Sequence, residues 1–339
     1  MTINLKQLSK LLKLSPTTVS RALADYPDVS AKTRARVKQM AIQQGYQPNP
    51  VARRLQKGKT ETIGIVITPE QNYFSDTFFI DLLSGISNQI TRAEYELILG
   101  VASDEEHEMQ SMRRMVEGKR VDGMILTLIR EQDPRVGYLL DRDFPFVLYG
   151  RTRETRPYAF VDMDGKQAFE KACTYLAGLG HRRIALLNGE PGFMFPVGCR
   201  EGYESGLFLS GLELDPDLIR EWKHKDPSQS SYRWTLELFK NDNPPTAILF
   251  QTEAVNGIFK GLDELDLQPG KDVALIGYDD LEIARIHHPS LSVLRPHARE
   301  GGQRVVNILM EVIKGEDPGK FQEIHQVEMV IRETSLPPS

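Results

Sequence analysis

Cysteines are scarce in this sequence and long apolar runs are missing from it. Cys173 and Cys199 are the two cysteines among 339 residues, which excludes a disulfide framework and fits a reducing compartment. No stretch approaches the roughly 18 uninterrupted apolar residues that a membrane span needs. The polar start, residues 1–10, lacks the apolar run of an export signal. We therefore expect a cytoplasmic protein with no membrane partner.

The motifs of the common enzyme classes are also missing. The chain has no G-x-G-x-x-G after a strand, no G-x-x-x-x-G-K-[ST], no G-x-S-x-G, no H-E-x-x-H and no C-x-x-C. The histidines are scattered, and the adjacent His287 and His288 cannot both face one metal from a helix or a strand. We therefore predict no catalytic residue, no metal site and no cofactor.

Charge is unevenly distributed along the chain. Residues 1–60 contain twelve Lys and Arg against Asp25 and Asp28, a net charge of +10, which leaves −15 for the rest of a chain whose total is −5. A basic head on an acidic body is typical of nucleic-acid binding by the head. The alternative is a solvated charged face.

Three short helices are predicted within these first residues. Asn4 caps the first, Ser15 followed by Pro16 starts the second, and Ser30 caps the third, which Gly45 ends. Because the first two helices are joined by a brief turn, they form a helix-turn-helix, whose second helix enters the major groove of DNA.

A proline-containing loop and a fourth helix of one to two turns follow. Asn49 caps this helix and Pro50 fits its first turn. A helix this short is marginal in water, so we expect it to form against a second copy of itself and DNA. The head thus divides into an all-α helix-turn-helix domain over 1–47 and a hinge helix with its linker over 48–60.

From Thr62 onwards, apolar runs of strand length alternate with amphipathic helices. This pattern predicts parallel sheets covered by helices on both faces, and two such sets indicate a two-lobed α/β core over 61–339. Open parallel sheets bind ligands outside the carboxyl ends of their strands, so we expect a ligand in the cleft between the lobes. The predicted lobes comprise about 61–161 with 290–317, and about 162–289 with 318–332.

Four segments carry a resemblance to a known family. TVSRAL, VSAKTRARV, GYQPNPVARRL and KTETIGIV resemble, in order and spacing, the lactose-repressor/galactose-repressor family of bacterial transcription regulators. The resemblance covers essentially the whole chain and is most specific in residues 1–66. It implies a periplasmic-binding-protein-like core of two doubly wound sheets. It also implies a repressor of sugar uptake or catabolism genes, a dimer or dimer of dimers on a palindromic operator, under allosteric control by a small effector.

The second helix carries the predicted base readers. Arg21 suits guanine, and the methyls and hydroxyls of Thr17 and Thr18 can meet thymine or phosphate. Pro16 occupies a reading position of the family but offers only apolar contact. Phosphate contacts are expected from Lys6, Ser30, Lys32, Arg34 and Asn49. The remaining predicted DNA contacts are Ser20, Val51, Ala52 and Arg53.

Two further positions follow from the resemblance. A leucine matching Leu55 wedges into the central base step from the minor groove and kinks the duplex. Lys13 stands where the family has a glycine in the turn. We therefore expect either a strained positive φ at Lys13 or an added phosphate contact.

Asp279 is the foremost predicted effector contact. It follows the run Ile276-Gly277-Tyr278, a strong match to the family, in which the first aspartate accepts hydrogen bonds from ligand hydroxyls. An ionised carboxylate suits a diol because it only accepts hydrogen bonds. The alternative is a structural aspartate that caps the next helix, a role that we assign to Asp280.

Other predicted effector contacts lie at the remaining strand ends. Cys199 holds the place of the family's ligand-binding arginine, and Arg200 is its neighbour. Phe79 and Trp222 also fit packing roles, which are the alternatives for them. The further candidates are Tyr73, Phe74, Phe78, Phe79, Asp162, Arg200, Trp222 and Gln251.

Carboxylates, amides and aromatic rings suit a polyhydroxylated effector such as a sugar. A purine would also accept aromatic rings and an aspartate, so a nucleobase or nucleoside is the alternative effector. Two other classes share such a core, a secreted sugar-binding transport protein and a sugar-modifying enzyme. The transport protein needs an export signal and would have no use for residues 1–60.

Overall fold

The structure, a computed structural model, describes residues 3–46, 59–68, 77–222 and 227–338. Its internal contacts divide the chain into two compact units, Met1–Thr60 and Glu61–Ser339. The predicted hinge helix lies outside the described residues. So do the predicted site residues Asn49, Val51, Ala52, Arg53, Leu55, Tyr73 and Phe74.

The amino-terminal unit contains the three predicted helices, α1 (Leu5–Leu12), α2 (Pro16–Leu23) and α3 (Ala31–Gln43). Asn4 and Gln7 cap α1 reciprocally, with 2.8 and 3.0 Å between each backbone nitrogen and the other side chain. The hydroxyls of Ser15 and Ser30 cap α2 and α3. The prediction of three capped helices is confirmed.

Small apolar side chains form the core of this unit. Leu8, Leu12, Val19, Val37 and Ala41 are all buried in one cluster. Within each helix the buried residues are three or four apart, the spacing that places them on one helix face. A core this small leaves most other side chains of the three helices exposed.

The turn between α1 and α2 has left-handed backbone. Lys13 follows α1 with φ 55° and ψ 38°. The positive φ that was expected where the family has a glycine is therefore present, and a lysine adopts it.

The second unit contains two six-stranded sheets. Its strands are β1 (Thr62–Ile67), β2 (Glu96–Val101), β3 (Gly123–Leu126), β4 (Phe146–Tyr149), β5 (Ala159–Met163), β6 (Ile184–Asn188), β7 (Ile219–Glu221), β8 (Ala247–Gln251), β9 (Ala274–Tyr278), β10 (Ser292–Arg295), β11 (Gln322–His325) and β12 (Glu328–Val330). The strand orders are β11-β5-β4-β3-β1-β2 in the first lobe and β12-β10-β9-β8-β6-β7 in the second. The neighbours are parallel except for β10 and β12, which confirms the predicted two-lobed parallel architecture.

Helices cover both faces of each sheet. They are α4 (Thr77–Arg92), α5 (Glu105–Glu117), α6 (Pro134–Leu140), α7 (Gly165–Gly178), α8 (Met194–Leu209), α9 (Pro227–Leu238), α10 (Val255–Glu264), α11 (Glu282–Ile286) and α12 (Ala298–Ile313). One core cluster contains buried side chains of both lobes, such as Ile65 and Val306 with Leu186 and Tyr203. None of the helices in the described part of the chain has the length and apolar content to cross a membrane.

Two strands near the carboxyl-terminal end lie outside the lobes that the sequence predicted for them. Residues 290–317 were assigned to the first lobe, but β10 pairs with β9 in the second-lobe sheet. Residues 318–332 were assigned to the second lobe, but β11 pairs with β5 in the first-lobe sheet. The pattern failed here because alternation marks a short strand without saying which sheet its backbone joins.

Candidate functional site

The exposed side of α2 is the candidate DNA-reading face. Val19 and Ala22 are fully buried, whereas Thr17 is exposed. The hydroxyl of Thr18 lies 2.8 Å from the Ser15 hydroxyl, and its backbone nitrogen donates to the same oxygen at 3.0 Å. A base contact by Thr18 would therefore use its methyl group or give up the hydrogen bond to the Ser15 hydroxyl, while the side chain of Thr17 is exposed.

Arg21 is held in a defined position at this face. Its Nη2 lies 2.8 Å from an Asp28 carboxylate oxygen. Its guanidinium carbon lies 5.0 Å from the centre of the Tyr26 ring, within the range of a cation–π contact. The predicted reader of guanine thus has two partners from the loop that follows α2.

The residues predicted to contact phosphates differ in whether their side chains already bind other parts of the protein. Lys6 and Lys32 are exposed, as is Pro16, and Ser20 is half-buried. The Ser30 hydroxyl accepts a hydrogen bond from the Thr33 backbone nitrogen at 3.2 Å. Arg34 donates to the carbonyl oxygens of Tyr26 and Val29 at 3.0 and 2.7 Å, so its guanidinium braces the loop. Of these residues, Lys6 and Lys32 are the best placed for a phosphate.

On the first-lobe side of the cleft, β4 ends at a buried tyrosine. Tyr149 is 9% exposed, and among the described residues its hydroxyl has no hydrogen-bond partner. The Phe78 ring lies 5.9 Å from the Tyr149 ring, centre to centre. Burial raises the pKa of Tyr149 well above its usual range, and the carboxylates of Asp279 and Asp162 raise it further. Tyr149 is therefore a neutral, unpartnered donor within electrostatic range of the Asp279, Asp162 and Glu300 carboxylates.

Asp162 lies on the neighbouring strand with a basic partner. Arg151 donates to its carboxylate through Nε. Burial raises the pKa of Asp162, while Arg151 acts in the opposite direction. The carboxylates of Asp162 and Asp279 both raise the pKa of the Tyr149 hydroxyl, so each lies within electrostatic range of Tyr149.

On the second-lobe side, Asp279 follows β9 in a left-handed conformation with φ 79°. The preceding Tyr278 is buried, and its ring centre lies 4.6 Å from that of Phe195 and 6.1 Å from that of Phe169. The pKa of Tyr278 is raised well above its usual range by burial and then by the Asp279 carboxylate. The predicted effector residue Asp279 thus sits beside buried aromatic rings.

The predicted capping role of Asp280 was wrong. Helix α11 begins after Leu281 without a side-chain cap. Asp280 instead accepts hydrogen bonds from Arg285 at 2.9 Å, Arg295 at 2.5 Å and Arg332 at 2.7 Å. Three cations around one carboxylate outweigh the gain of a single cap, which is why the local pattern misled.

The other second-lobe candidates divide between the cleft and the core. Cys199 is buried, and its thiol pKa is raised well above the usual range by burial and by the Asp279 and Asp162 carboxylates. Arg200 forms ion pairs with Glu204 and Glu221, at 2.9 and 3.3 Å. Cys199, which the sequence places where the family has an arginine, thus lies within electrostatic range of both aspartates, and the cleft contact of Arg200 stays a prediction.

Gln251 is tied to a neighbouring strand end, and two aromatic candidates pack in the core. The Gln251 amide donates to the Asn188 side chain at 2.9 Å. Trp222 is 4% exposed, and its ring centre lies 6.1 Å from that of Trp234. Phe79 is 2% exposed in the core that both lobes share. Packing is the role that the structure shows for Trp222 and Phe79, and Tyr149 was not among the residues that the sequence predicted.

Two short segments, together called the strap, are hydrogen-bonded to each other and so join the two lobes near the ends of their strands. Ile129–Glu131, beyond β3, pairs with Gly192–Met194, beyond β6, through an antiparallel bridge between Arg130 and Phe193. Glu131 N donates to Gly192 O, and Met194 N donates to Ile129 O, both at 2.9 Å. Arg130 also lies over the Phe193 ring, 5.5 Å from its centre.

A charged network supports the strap from the first lobe. Arg130 donates to Glu105 at 3.0 Å and to Glu108 at 3.1 Å. Glu108 in turn accepts from Arg135 at 2.6 Å, and Arg135 binds Asp133 at 2.6 Å. Among the described residues, no three His, Cys, Asp or Glu side chains are grouped so as to hold a metal ion.

Comparison with known proteins identifies the family to which this architecture belongs. A model of bacterial regulatory proteins, lacI family, matches residues 4–49, and a periplasmic binding protein-like domain matches residues 173–335. The regulator AglR of Rhizobium meliloti (strain 1021) is 35% identical over 99% of this chain and 95% of its own. The chain belongs to the lacI family.

Further similarities agree with this membership. The regulator RafR of Escherichia coli is 32% identical to this lacI-family chain over 94% of it and 95% of RafR. The lac repressor dimer bound to operator and the anti-inducer ONPF superposes with a TM-score of 0.85, at 22% identity, over 99% of this chain and 100% of that one. This lacI-family protein is therefore a transcriptional regulator and not an enzyme.

Proposed function

We propose that this regulator is a repressor of sugar uptake or catabolism genes, that it binds a palindromic operator as a dimer, and that a small neutral sugar in the cleft controls it. A bacterial regulator of this kind acts in the cytoplasm, where the chromosome lies. The observation that carries the effector part is the convergence of Asp162, Asp279 and the Tyr149 hydroxyl beside buried aromatic rings.

The chemistry of the cleft favours a neutral polyhydroxylated ligand. Carboxylates accept hydrogen bonds from hydroxyls, and the Tyr149 hydroxyl is a donor for a ligand oxygen. Arg151 and Arg200 are already paired with carboxylates, so neither is offered to an anionic ligand. Aromatic rings next to polar groups suit the apolar faces and hydroxyl edges of a sugar ring.

A thermal-shift screen of the full chain against neutral sugars and nucleobases tests the effector. A ligand at one hundred times its Kd stabilises a folded protein by about 2.7 kcal/mol. We expect a neutral sugar, and no nucleobase, to raise Tm, and Asp279→Asn to abolish the rise. Asparagine tolerates the positive φ of this position, so the variant removes the charge without straining the backbone. A shift with purines alone would contradict the sugar assignment and support the nucleobase alternative.

Operator binding is tested separately. Selection from a randomised duplex library should enrich a palindrome, and sedimentation should show two chains on one duplex. Asp279→Asn should leave this binding unchanged, since Asp279 belongs to the core unit and not to the reading face. Leu55→Ala should lower operator affinity and reduce the DNA bend if this leucine acts as a wedge.

A further inference from the structure

The loop after α2 places an acidic residue on the face that is proposed to meet DNA. Asp28 is half exposed, and within the described part of the chain its ionic partner is Arg21. An exposed carboxylate at such a face repels phosphate and weakens binding to any sequence. An exposed ion pair on its own stabilises a fold very little. Asp28 therefore costs affinity without a matching gain in stability.

The geometry around Arg21 suggests what Asp28 does. Asp28 binds Nη2 at 2.8 Å, and the Tyr26 ring covers one face of the guanidinium. The Nε atom is buried and, among the described residues, has no hydrogen-bond partner. Nε is thus covered and one N–H of Nη2 is occupied, which leaves Nη1 and the second N–H of Nη2 for a ligand. A guanidinium fixed on one edge and one face offers a single orientation to a base.

We propose that Asp28 and Tyr26 are positioning residues that fix Arg21 for the reading of guanine and so raise sequence selectivity while lowering overall affinity for DNA. The proposal rests on the proposed reading of DNA by α2. Arginine recognises guanine through two parallel hydrogen bonds to O6 and N7. A bidentate contact depends on the angle of the guanidinium plane, which the Asp28 carboxylate and the Tyr26 ring define.

Asp25 provides a matched control. It lies on the same unit, three residues before Asp28, but pairs with Lys38 at 2.6 Å and with Arg34 at 3.9 Å rather than with Arg21. Asp25→Asn and Asp28→Asn each remove one negative charge. Asparagine also tolerates the left-handed backbone of Asp25. The two variants therefore differ in whether they release Arg21.

The experiment uses the full chain and a duplex selected by the wild type from a randomised library. Affinity is measured for this duplex, for the same duplex with 7-deazaguanine, which lacks N7, and for a scrambled duplex. We expect Asp28→Asn to reduce the preference for guanine over 7-deazaguanine by about tenfold. Its affinity for the scrambled duplex should rise as much as that of Asp25→Asn. Asp25→Asn should keep the guanine preference, and Tyr26→Leu should lose part of it.

Four outcomes would overturn the proposal. If the Asp28→Asn variant keeps the guanine preference, Arg21 needs no positioning residue. Asp28→Asn that binds the selected duplex more tightly with undiminished preference shows that Asp28 masks Arg21 instead. If Asp28→Asn still reduces the guanine preference when Arg21 is already replaced by alanine, the effect comes from the loop and not from the Arg21–Asp28 ion pair. A wild type that enriches no sequence overturns the DNA-reading function itself, so the two failures are distinguishable.

Discussion

Lys13 occupies a backbone conformation that favours glycine. A left-handed φ costs an ordinary residue about 1–2 kcal/mol, while glycine loses about 0.5–1 kcal/mol through its greater freedom in the unfolded chain. We therefore expect Lys13→Gly to raise the free energy of unfolding of the amino-terminal unit by about 0.5 kcal/mol. Hydrogen exchange of the α1 and α2 amides in the full chain measures this change.

The control for Lys13 is another exposed lysine in helical backbone. Lys10 lies within α1, where glycine is unfavourable by about 1 kcal/mol. Lys10→Gly should therefore weaken protection of the same amides. Equal losses in both variants would show that the turn gains nothing from glycine. A loss of DNA affinity in Lys13→Gly would reveal the phosphate contact that was the alternative reason for a lysine here.

Asp280 has a buried side chain whose charge should contribute to the stability of the core. Burial opposes its ionisation, but hydrogen bonds from Arg285, Arg295 and Arg332 hold its pKa below the usual value. Because the folded pKa lies below the unfolded one, this contribution is present above the unfolded pKa and is lost as pH falls through the folded pKa. We expect Asp280→Asn to lower the free energy of unfolding by about 2–3 kcal/mol at neutral pH.

Urea denaturation at neutral and acidic pH measures the effect of Asp280→Asn. The difference from the wild type should shrink as pH falls, since the wild-type carboxyl is then protonated as well. Asp81 provides the comparison, because its 2.7 Å ion pair with Arg299 is about half exposed. Asp81→Asn should cost less than about 1 kcal/mol. A pH-independent loss in Asp280→Asn would show that packing, and not charge, is responsible.

At single residues, the sequence predicted what is local and missed what the fold brings together. Ser15 and Pro16 predict the start of a helix from neighbouring residues alone, and the structure confirms this start. The arginines that bind Asp280 lie 5, 15 and 52 residues further along the chain, beyond the reach of a local pattern. Tyr149 was missed although it ends an apolar run, because its orphan hydroxyl is visible only in three dimensions.

At the scale of elements, long amphipathic helices and central strands were predictable and short edge strands were not. Residues 318–332 were assigned to one lobe, but their strands β11 and β12 belong to two different sheets. The strand β7, of three residues, gave no recognisable pattern. Strands this short depend on the neighbour that pairs with them, which lies far away in the sequence.

The strap between Ile129–Glu131 and Gly192–Met194 leads to a prediction about the cleft. Gly192 has φ 96° and its carbonyl accepts one of the two strap hydrogen bonds, while a Cβ there would meet nothing within 4 Å. Gly192→Ala should therefore strain the strap without a steric clash. If the strap holds the cleft in the form that binds its ligand, sugar affinity should fall by about three- to tenfold. Titration calorimetry with the sugar found by thermal shift measures it.

Gly315 is a matched control for this variant. It has φ 101°, lies beyond the end of α12, and likewise has open space where a Cβ would be. Gly192→Ala and Gly315→Ala should thus lose similar unfolding free energy, about 1 kcal/mol. Only Gly192→Ala should change sugar affinity. Unchanged affinity in both variants would mean that the strap is structural and does not bias the cleft.

For the whole molecule, the division of charge gives a test of how many heads engage DNA. Residues 1–60 carry +10 and the remainder carries −15, so phosphate contacts should come from the head alone. Each phosphate contact adds about 0.9 to the slope of log K against log salt. In a dimer on a palindrome, one substituted lysine removes two contacts. We therefore expect Lys32→Gln to lower the slope by about 1.8 on a full palindrome.

The same substitution should act half as strongly on a duplex with one half-site. There only one head is correctly placed, so the slope should fall by about 0.9. Lys314→Gln is the control, since Lys314 lies in the core unit, where it pairs with Glu311 at 2.8 Å. It should leave the slope unchanged on both duplexes. Equal slope changes of about 0.9 on the palindrome and the half-site would mean that a single head contacts DNA, which would remove the dimer from the proposed mechanism.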